Sequence, residues 1–272
     1  MAALWNAAIS FVKSAQIILK ERPDVLISEG AGAMYFIVLW ARLFGACIII
    51  LESFARFEAP SLFGRLAAPL AHHMIAYAEP LRAFYPKATI FEPVRVLDEA
   101  PPAKQDLVFV TVGATLPFDR MVRMAAQAQQ DGNIPERLLI QTGVGGAAPA
   151  GVEVVESLPF DQVQQILDQA SVVICHGGTG SLITALSKGC HVIATPRLAA
   201  LAEHYDDHQA EITEAFARRG LIQVANTVDE LKVALTQTRT RDRVVATSDP
   251  GELIAFIEGI LSRGASRWKR PA

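Results

Sequence analysis

A histidine, three glycines and two hydroxyl side chains follow a strongly apolar segment in the second half of the chain. The apolar segment, VVIC at 172–175, is typical of a buried strand, and the residues after 178 favour a helix. Glycine lets the backbone approach an anion closely, and a helix N-terminus offers unpaired N–H groups at the positive end of its dipole. We therefore predict a diphosphate-binding turn formed by His176, Gly177, Gly178, Thr179, Gly180 and Ser181. A strand-to-helix turn with a purely structural role is the alternative.

A second, shorter glycine turn follows the apolar segment at 107–112. Gly113 and Thr115 lie in it, ahead of a predicted helix that begins near residue 118. Because ligands bind at the carboxyl edge of an open α/β sheet, we expect this turn to lie beside the first one. Taken alone, it is equally consistent with an ordinary connection.

The segment EHYDDHQ at 203–209 concentrates polar side chains after the next predicted strand. Such groups hydrogen-bond sugar hydroxyls when they lie at the ligand-binding edge of a sheet. The candidates for ligand binding in this segment are Glu203, His204, Asp207 and Gln209. His204 and His208 also have a spacing that suits a metal ion. Since the sequence offers no matched third ligand, we predict no metal site.

Apolar runs alternate with helical segments along the chain, which has 272 residues and is 51% hydrophobic. This pattern is typical of α/β proteins in which helices cover both faces of a parallel sheet. The polar, proline-containing stretch 98–106 indicates a linker. We therefore predict a Rossmann-like domain at 1–100 and a doubly wound domain at 106–272 that includes a last helix at 250–262.

The first predicted domain begins with a helix and offers only about four strands, whereas a nucleotide-binding α/β domain normally begins with a strand. We therefore expect it to be incomplete. A partner chain or a preceding segment would complete it.

Charge and cysteine content narrow the function classes. A formal net charge of -3 gives no reason to expect nucleic-acid binding. Cys47, Cys175 and Cys190 lie in or beside apolar runs without a CxxC pair, so we predict small buried hydrophobes. The longest apolar run, 34–51, is interrupted by Arg42 and predicts a buried helix followed by a strand rather than a membrane span.

The first helical segment, 4–20, carries Trp5, Phe11, Lys13 and Lys20 and permits an interfacial membrane helix. A helix packed on a sheet is an equal alternative. Four basic residues near the C-terminus, beside Trp268, are consistent with a solvated tail or with contact to anionic lipid. They are Arg263, Arg267, Lys269 and Arg270.

In combination, these motifs resemble glycosyltransferase family 28. The likeness in the second half is carried by TVGATLPFDRMV (111–122), CHGGTGSLITALSKGCHVIATPR (175–197) and EHYDDHQ. In the first half it is carried by RPDVLISEGAGA (22–33) and ILESFARFEAPSLFGRLAAPLA (50–71). The chain thus resembles a fusion of the membrane-recruiting and catalytic subunits of the UDP-GlcNAc transferase of lipid-linked oligosaccharide synthesis. Bacterial exopolysaccharide counterparts are equally similar.

The resemblance implies a GT-B-like fold with two Rossmann-like, doubly wound parallel-sheet domains facing a cleft. It implies inverting transfer from a UDP-sugar to a polyprenyl-diphosphate-linked sugar at the cytoplasmic face of the membrane, with no cofactor and no required metal. The first glycine turn would cradle the UDP diphosphate, and the second would flank it. Three residues would face the donor sugar or the ribose: His204, Asp207 and Gln209.

Two positions depart from the family pattern. Thr184 stands where many members have a glutamate that binds the ribose hydroxyls. The N-terminal glycine–histidine segment, which often supplies the base or an acceptor contact, has no counterpart in the sequence.

Inversion requires a base that accepts the proton of the acceptor hydroxyl. Glu52 and Glu29 each follow an apolar strand of the first domain, so both are candidates at its ligand edge, with Glu52 preferred. A salt bridge between Glu52 and Arg56 is an equal alternative for Glu52. The adjacent His72 and His73 are weaker candidates.

Two other functions remain open. A UDP-sugar 2-epimerase also uses two Rossmann-like domains, and a non-catalytic subunit would bind the UDP-sugar or recruit a partner chain. The donor sugar is equally open among GlcNAc, glucose and glucuronic acid. Arg197 follows a predicted strand and is either a partner for a uronate carboxylate or a surface arginine.

Overall fold

The computed structural model describes residues 2–30, 32–54, 56–114 and 116–267. The chain forms two compact units, of which unit 1 comprises Met1–Pro93 with Asp249–Ala272 and unit 2 comprises Val94–Ser248. Each unit is built on its own parallel sheet. The division differs from the predicted one because the C-terminal segment belongs to unit 1.

Unit 1 contains a four-stranded parallel sheet in the order β1-β2-β3-β4. Side chains alternate between the faces of a strand, so Ile48 and Ile50 pack on one side and Cys47 and Ile49 on the other. The elements are α1 Ala2–Glu21, β1 Val25–Ser28, α2 Met34–Leu43, β2 Cys47–Leu51, α3 Leu62–Ala67, β3 His73–Ala76 and β4 Thr89–Ile90. The apolar run at 34–51 is therefore a helix followed by a buried strand, as predicted.

Unit 2 contains a six-stranded parallel sheet in the order β11-β10-β9-β6-β7-β8. The elements are β5 Arg95–Val96, β6 Gln105–Thr111, α4 Asp119–Gln130, β7 Arg137–Gln141, β8 Glu153–Val155, α5 Phe160–Gln169, β9 Ala170–His176, α6 Thr179–Ser187, β10 His191–Thr195, α7 His208–Arg218, β11 Gln223–Val224, α8 Val228–Thr238 and β12 Ala246–Thr247. The strand order reverses between β6 and β9, which is the topological switch point where doubly wound sheets bind ligands. The short strands β5 and β12 pair antiparallel.

The last helix, α9 (Gly251–Arg267), was predicted as part of the second domain but packs in unit 1. Leu253, Phe256, Ile257 and Ile260 cluster with Cys47, Ile49 and Ile75 of the unit 1 sheet. This helix therefore covers the sheet face that α2 does not cover.

Cys47, Cys175 and Cys190 are free and buried, as predicted. Burial raises the pKa of Cys175 to about 12 and that of Cys190 to about 11, so both thiols stay protonated near neutral pH. Among the described helices, none is long and apolar enough to cross a bilayer.

Candidate functional site

The glycine turn between β9 and α6 lies at the switch point of unit 2. Gly178 is the N-cap residue of α6 in an extended conformation, and none of the described side chains caps this end of the helix. The first N–H groups of α6 are thus available to an anion. Gly177 permits close packing, because a Cβ atom there would lie 2.8 Å from Thr213 Cγ2 and 2.9 Å from Gln209 Cβ.

His176 joins the two predicted glycine turns. A Cβ atom on Gly113 would lie 2.7 Å from His176 Nε2, and one on Gly178 would lie 2.8 Å from the same atom. Burial, and then the charge of Arg197, lower the pKa of His176 to about 4, so the imidazole is neutral near pH 7. Its Nδ1 is buried without a hydrogen-bond partner among the described residues. The second turn therefore lies beside the first, as expected, although Thr115 falls outside the described residues.

Arg197 is neither a surface arginine nor placed for a uronate partner, because it is buried with 4% of its surface exposed. Its guanidinium donates to the carbonyl oxygens of Val112 at 3.1 Å, Leu116 at 2.7 Å and Pro117 at 2.9 Å. It also lies over the ring of Phe118, 4.4 Å from the centroid. Arg197 therefore holds the turn between β6 and α4.

The predicted sugar-binding residues of the 203–209 segment make contacts within unit 2. Glu203 forms a two-pronged ion pair with Arg120, with N–O distances of 2.7 and 2.8 Å, and also accepts the backbone N–H of Leu198. Asp207 is exposed and accepts the N–H of Ala199 at 2.8 Å. These carboxylates shape the loop after β10, and the expectation that Glu203 faces a ligand is not supported by its position.

Gln209 was expected to face the donor but is 5% exposed. Its Oε1 accepts two N–H groups at 3.1 Å, one from Gly177 and one from Arg197. Gln209 thus ties the glycine turn to the loop after β10, which is a positioning role.

Asp206 is a third potential metal ligand beside His204 and His208, and the sequence pattern did not predict it. Asp206 Oδ1 meets the Nδ1 atoms of both His204, at 3.0 Å, and His208. The three residues have the atoms to hold a metal ion. Hydrogen bonds between the two imidazoles and the shared carboxylate also account for the arrangement without a metal ion. His204 and His208 lie close together, as their spacing suggested, but a shared helical face does not bring them together because α7 begins only at His208.

A pocket of about 330 Å³ opens beside the glycine turns, between α5 and α6. Its walls are largely apolar, and Phe160 at its rim is 72% exposed. Polar groups enter from Thr111, whose hydroxyl donates to Gln141 Oε1 at 2.7 Å, and from Thr184, whose hydroxyl donates to Gly180 O. Gln141 and Phe160 were not predicted from the sequence, because an isolated amide or aromatic at a strand or helix end gives no periodic signal. An anion site joined to an apolar slot suits a nucleotide.

Glu52 in unit 1 is placed differently from the prediction. It was expected to emerge partly buried at the ligand edge, but it is 1% exposed. Its carboxylate accepts the N–H of Ser53 at 2.8 Å, the N–H of Ser61 at 3.1 Å and the hydroxyl of Tyr85 at 2.6 Å. Three donors therefore occupy the carboxylate, which secures the loop after β2.

Glu29 follows β1 and is exposed. The charge of Glu29 acts on Tyr77: burial, and then this charge, raise the pKa of the Tyr77 hydroxyl. Of the two carboxylates proposed as a base, Glu29 is the accessible one. His72 has a structural contact, since its Nδ1 accepts the N–H of Ile48 at 2.9 Å.

The sheet order, switch-point turns and adjoining slot define the nucleotide-binding domain of a GT-B fold. Residues 107–252 match the family model described as glycosyltransferase family 28 C-terminal domain, and residues 1–94 match the one described as oligosaccharide biosynthesis protein Alg14 like. Because the first match covers more than half of the chain, this protein belongs to glycosyltransferase family 28. The predicted fusion of two subunit-like sequences is confirmed, and the chain is a UDP-sugar-dependent glycosyltransferase.

Similar proteins agree with this assignment. The chain is 26% identical over 168 residues to the UDP-N-acetylglucosamine transferase subunit ALG13 of Yarrowia lipolytica, covering 58% of this chain and 81% of that protein. Acinetobacter baumannii MurG has the same fold, with a TM-score of 0.61 and 15% identity over 85% of this chain and 73% of that one. A kitacinnamycin glycosyltransferase gives a TM-score of 0.55 and 16% identity, covering 84% and 71%. The predicted GT-B-like α/β fold is thus confirmed.

Proposed function

We propose that this protein transfers a sugar from a UDP-sugar to a polyprenyl-diphosphate-linked saccharide with inversion at the anomeric carbon. The observation that carries the proposal is the uncapped N-terminus of α6, which adjoins an apolar slot at the switch point of unit 2. N-acetylglucosamine is the first donor sugar to test, since the ALG13 relative is named for it. Glucose and glucuronic acid are the other two.

In this proposal the diphosphate lies on the first N–H groups of α6, beside Gly113 and His176. Because burial holds His176 neutral, it can hydrogen-bond a phosphate oxygen without contributing charge. The uracil ring enters the slot against Phe160, and the polar groups of Thr111, Gln141 and Thr184 lie within reach of the nucleoside. His204 and Asp207, at the loop before α7, are the remaining proposed contacts to the donor sugar.

The proposed reaction is a single in-line displacement. The acceptor hydroxyl attacks the anomeric carbon as the bond to the UDP oxygen breaks, and a base takes the hydroxyl proton. We assign the base to Glu29, because Glu52 has its carboxylate occupied by three donors. The helix N-terminus stabilises the charge that develops on the leaving diphosphate.

The site of action is proposed to be the cytoplasmic membrane surface, where α1 supplies an apolar contact. Trp5, Val12 and Leu19 are exposed on α1 by 70%, 54% and 49%. A neighbouring side of the helix packs in unit 1 through Ile18 and through the ring of Phe11, whose centroid lies 4.9 Å from that of Trp40. Helix α1 thus combines a packed side with an exposed apolar side. The proposed process is exopolysaccharide or glycan assembly. There, unit 1 would bind either a second copy of this chain or a partner chain.

A donor screen tests the function. The full chain is incubated with intact membranes or with a lipid-linked saccharide, and with UDP-GlcNAc, UDP-glucose or UDP-glucuronic acid in turn. We expect one donor to give UDP release and extended lipid-linked product in equal amounts. Donor binding without product would instead support a non-catalytic subunit, and a changed sugar on UDP without acceptor would support an epimerase.

Replacement of Phe160 by alanine should weaken UDP binding about tenfold, because stacking on one base is worth about 1–3 kcal/mol. Isothermal titration with UDP measures the change. The matched control is Val233→Ala on α8, also an exposed apolar residue of unit 2, which should leave the affinity unchanged. Equal UDP affinity in Phe160→Ala and the parent protein would show that the uracil ring does not bind against Phe160.

Replacement of Trp5 by alanine should reduce co-sedimentation with anionic vesicles severalfold, since an interfacial aromatic anchors the exposed side of α1. Binding of the parent protein should also fall as salt rises, because lysines on α1 add an electrostatic component. The control is Phe84→Ala, an exposed aromatic of unit 1 outside α1. Vesicle binding that responds neither to Trp5→Ala nor to salt would refute the interfacial role.

A further inference from the structure

Two arginines and a glutamate form a cluster under the switch-point turns of unit 2. Arg120 and Arg197 both lie over the buried ring of Phe118, at 5.2 and 4.4 Å from its centroid. Glu203 pairs with Arg120. Among these described groups, two guanidinium charges face one carboxylate, so the cluster is positive overall.

The two arginines of the cluster bind the backbone of the loops that follow β6, β10 and β11. Arg120 donates to the backbone oxygens of Pro196 and Asn226, each at 2.8 Å, while Arg197 binds the turn between β6 and α4. Three carbonyl oxygens of that turn therefore point their negative ends at Arg197. These contacts fix the cluster in place, so its charge needs no rearrangement when a ligand binds.

The charge of Arg197 is felt where the two glycine turns meet. The Arg197 guanidinium donates to the carbonyl oxygen of Val112 at 3.1 Å, and Gly113, the next residue, lies against the ring of His176. In agreement with this geometry, the Arg197 charge follows burial as a cause of the lowered pKa of His176. A charge that disfavours a cation at this position favours an anion there. The same field must act on a diphosphate bound at the α6 N-terminus.

We propose that Arg197 is a positioning residue for the donor site and that the Arg120–Arg197–Glu203 cluster sets the preference for a diphosphate over an uncharged nucleoside. The inference rests on the proposed function, because it takes the glycine turns as the diphosphate site. It predicts a specific signature. Changes in cluster charge alter the affinity for UDP and leave the affinity for uridine nearly constant.

Dissociation constants for uridine, UMP and UDP test this in three proteins: the parent, Arg197→Met and Glu203→Gln. Arg197→Met should reduce the ratio of UDP to uridine affinity by about tenfold or more, because the diphosphate carries negative charge that the Arg197 charge attracts and uridine carries none. Glu203→Gln removes the negative charge and should raise the same ratio. A merely structural role predicts loss of uridine and UDP binding together, with no increase in either variant.

The control is Arg137→Met, which removes an arginine of an exposed ion pair with Glu153 on the neighbouring strands and should leave the ratio unchanged.

Arg197→Lys keeps the charge but cannot reach three carbonyl oxygens, so it should retain most of the UDP preference at a lower melting temperature. If Arg197→Met does not fold, Glu203→Gln and Arg197→Lys decide the matter. The inference is overturned if Glu203→Gln leaves the ratio of UDP to uridine affinity unchanged. It is also overturned if Arg197→Lys lowers that ratio as far as is expected for Arg197→Met. A parent protein that binds none of the three ligands instead refutes the proposed function.

Discussion

Gly178→Val should abolish measurable UDP binding while unit 2 stays folded. The new side chain would begin 2.8 Å from His176 Nε2, in the space between the glycine turns, and would cover the N–H groups of α6. Loss of the diphosphate contact together with displacement of His176 should raise the dissociation constant more than 100-fold, or about 2.7 kcal/mol. Titration calorimetry with UDP measures the loss, and thermal unfolding checks the fold.

The matched control is Gly32→Val in unit 1, where an added Cβ atom would meet no atom of the described residues within 4 Å. It should leave UDP affinity and the melting temperature near the parent values. Retained UDP affinity in Gly178→Val would remove the diphosphate from this turn, and with it the basis of the proposed donor site.

Glu29→Gln should lower turnover by about 10²–10⁴-fold, because the amide cannot accept the acceptor proton in the transition state. The donor affinity should stay nearly unchanged, since the base acts on the acceptor. Glu29 is exposed, so the substitution should leave the melting temperature almost unaltered. Turnover with a lipid-linked acceptor, UDP affinity and thermal unfolding are measured on the one variant.

Glu52→Gln is the comparison and should show the opposite pattern. The amide cannot accept hydrogen bonds on both of its ends, so at least one donor among Ser53, Ser61 and Tyr85 loses its partner. Leaving a buried donor unsatisfied costs about 1–3 kcal/mol, which lowers the melting temperature by several degrees. A large loss of turnover in Glu52→Gln with unchanged stability, and near-normal turnover in Glu29→Gln, would return the base assignment to Glu52.

The elements and the position of the site were predictable because they depend on local patterns. Continuous apolar runs predicted the parallel strands, and glycines at strand ends predicted the two turns that meet at His176. The contacts of Gln209 and Arg197 were not predictable. Gln209 bonds to backbone groups 32 and 12 residues away, and no side-chain pattern shows which backbone groups will lie opposite. A polar segment that follows a strand is therefore as compatible with shaping a loop as with binding a ligand.

Helix α9 shows the same limit at a larger scale. Its apolar spacing predicts that one side will be buried, but the spacing does not identify the sheet that buries it. Proximity in sequence favoured the sheet of unit 2, whereas Ile260 packs with Ile49 and Ile75 of unit 1. The slot beside Phe160 was missed because its walls come from several elements that are separated in sequence.

The return of α9 to unit 1 means that the two structural units are interleaved along the chain, although the two family matches, 1–94 and 107–252, follow one another end to end. Unit 2 is an insertion in unit 1, and the strands at its entry and exit, β5 and β12, are hydrogen-bonded to each other. A gene cut after residue 94 would therefore yield an N-terminal fragment whose sheet lacks its cover over Ile49 and Ile75. Such a fragment should be recovered in folded form only with a peptide spanning 249–267, so that a two-piece version of this enzyme requires the second piece to donate a helix to the first.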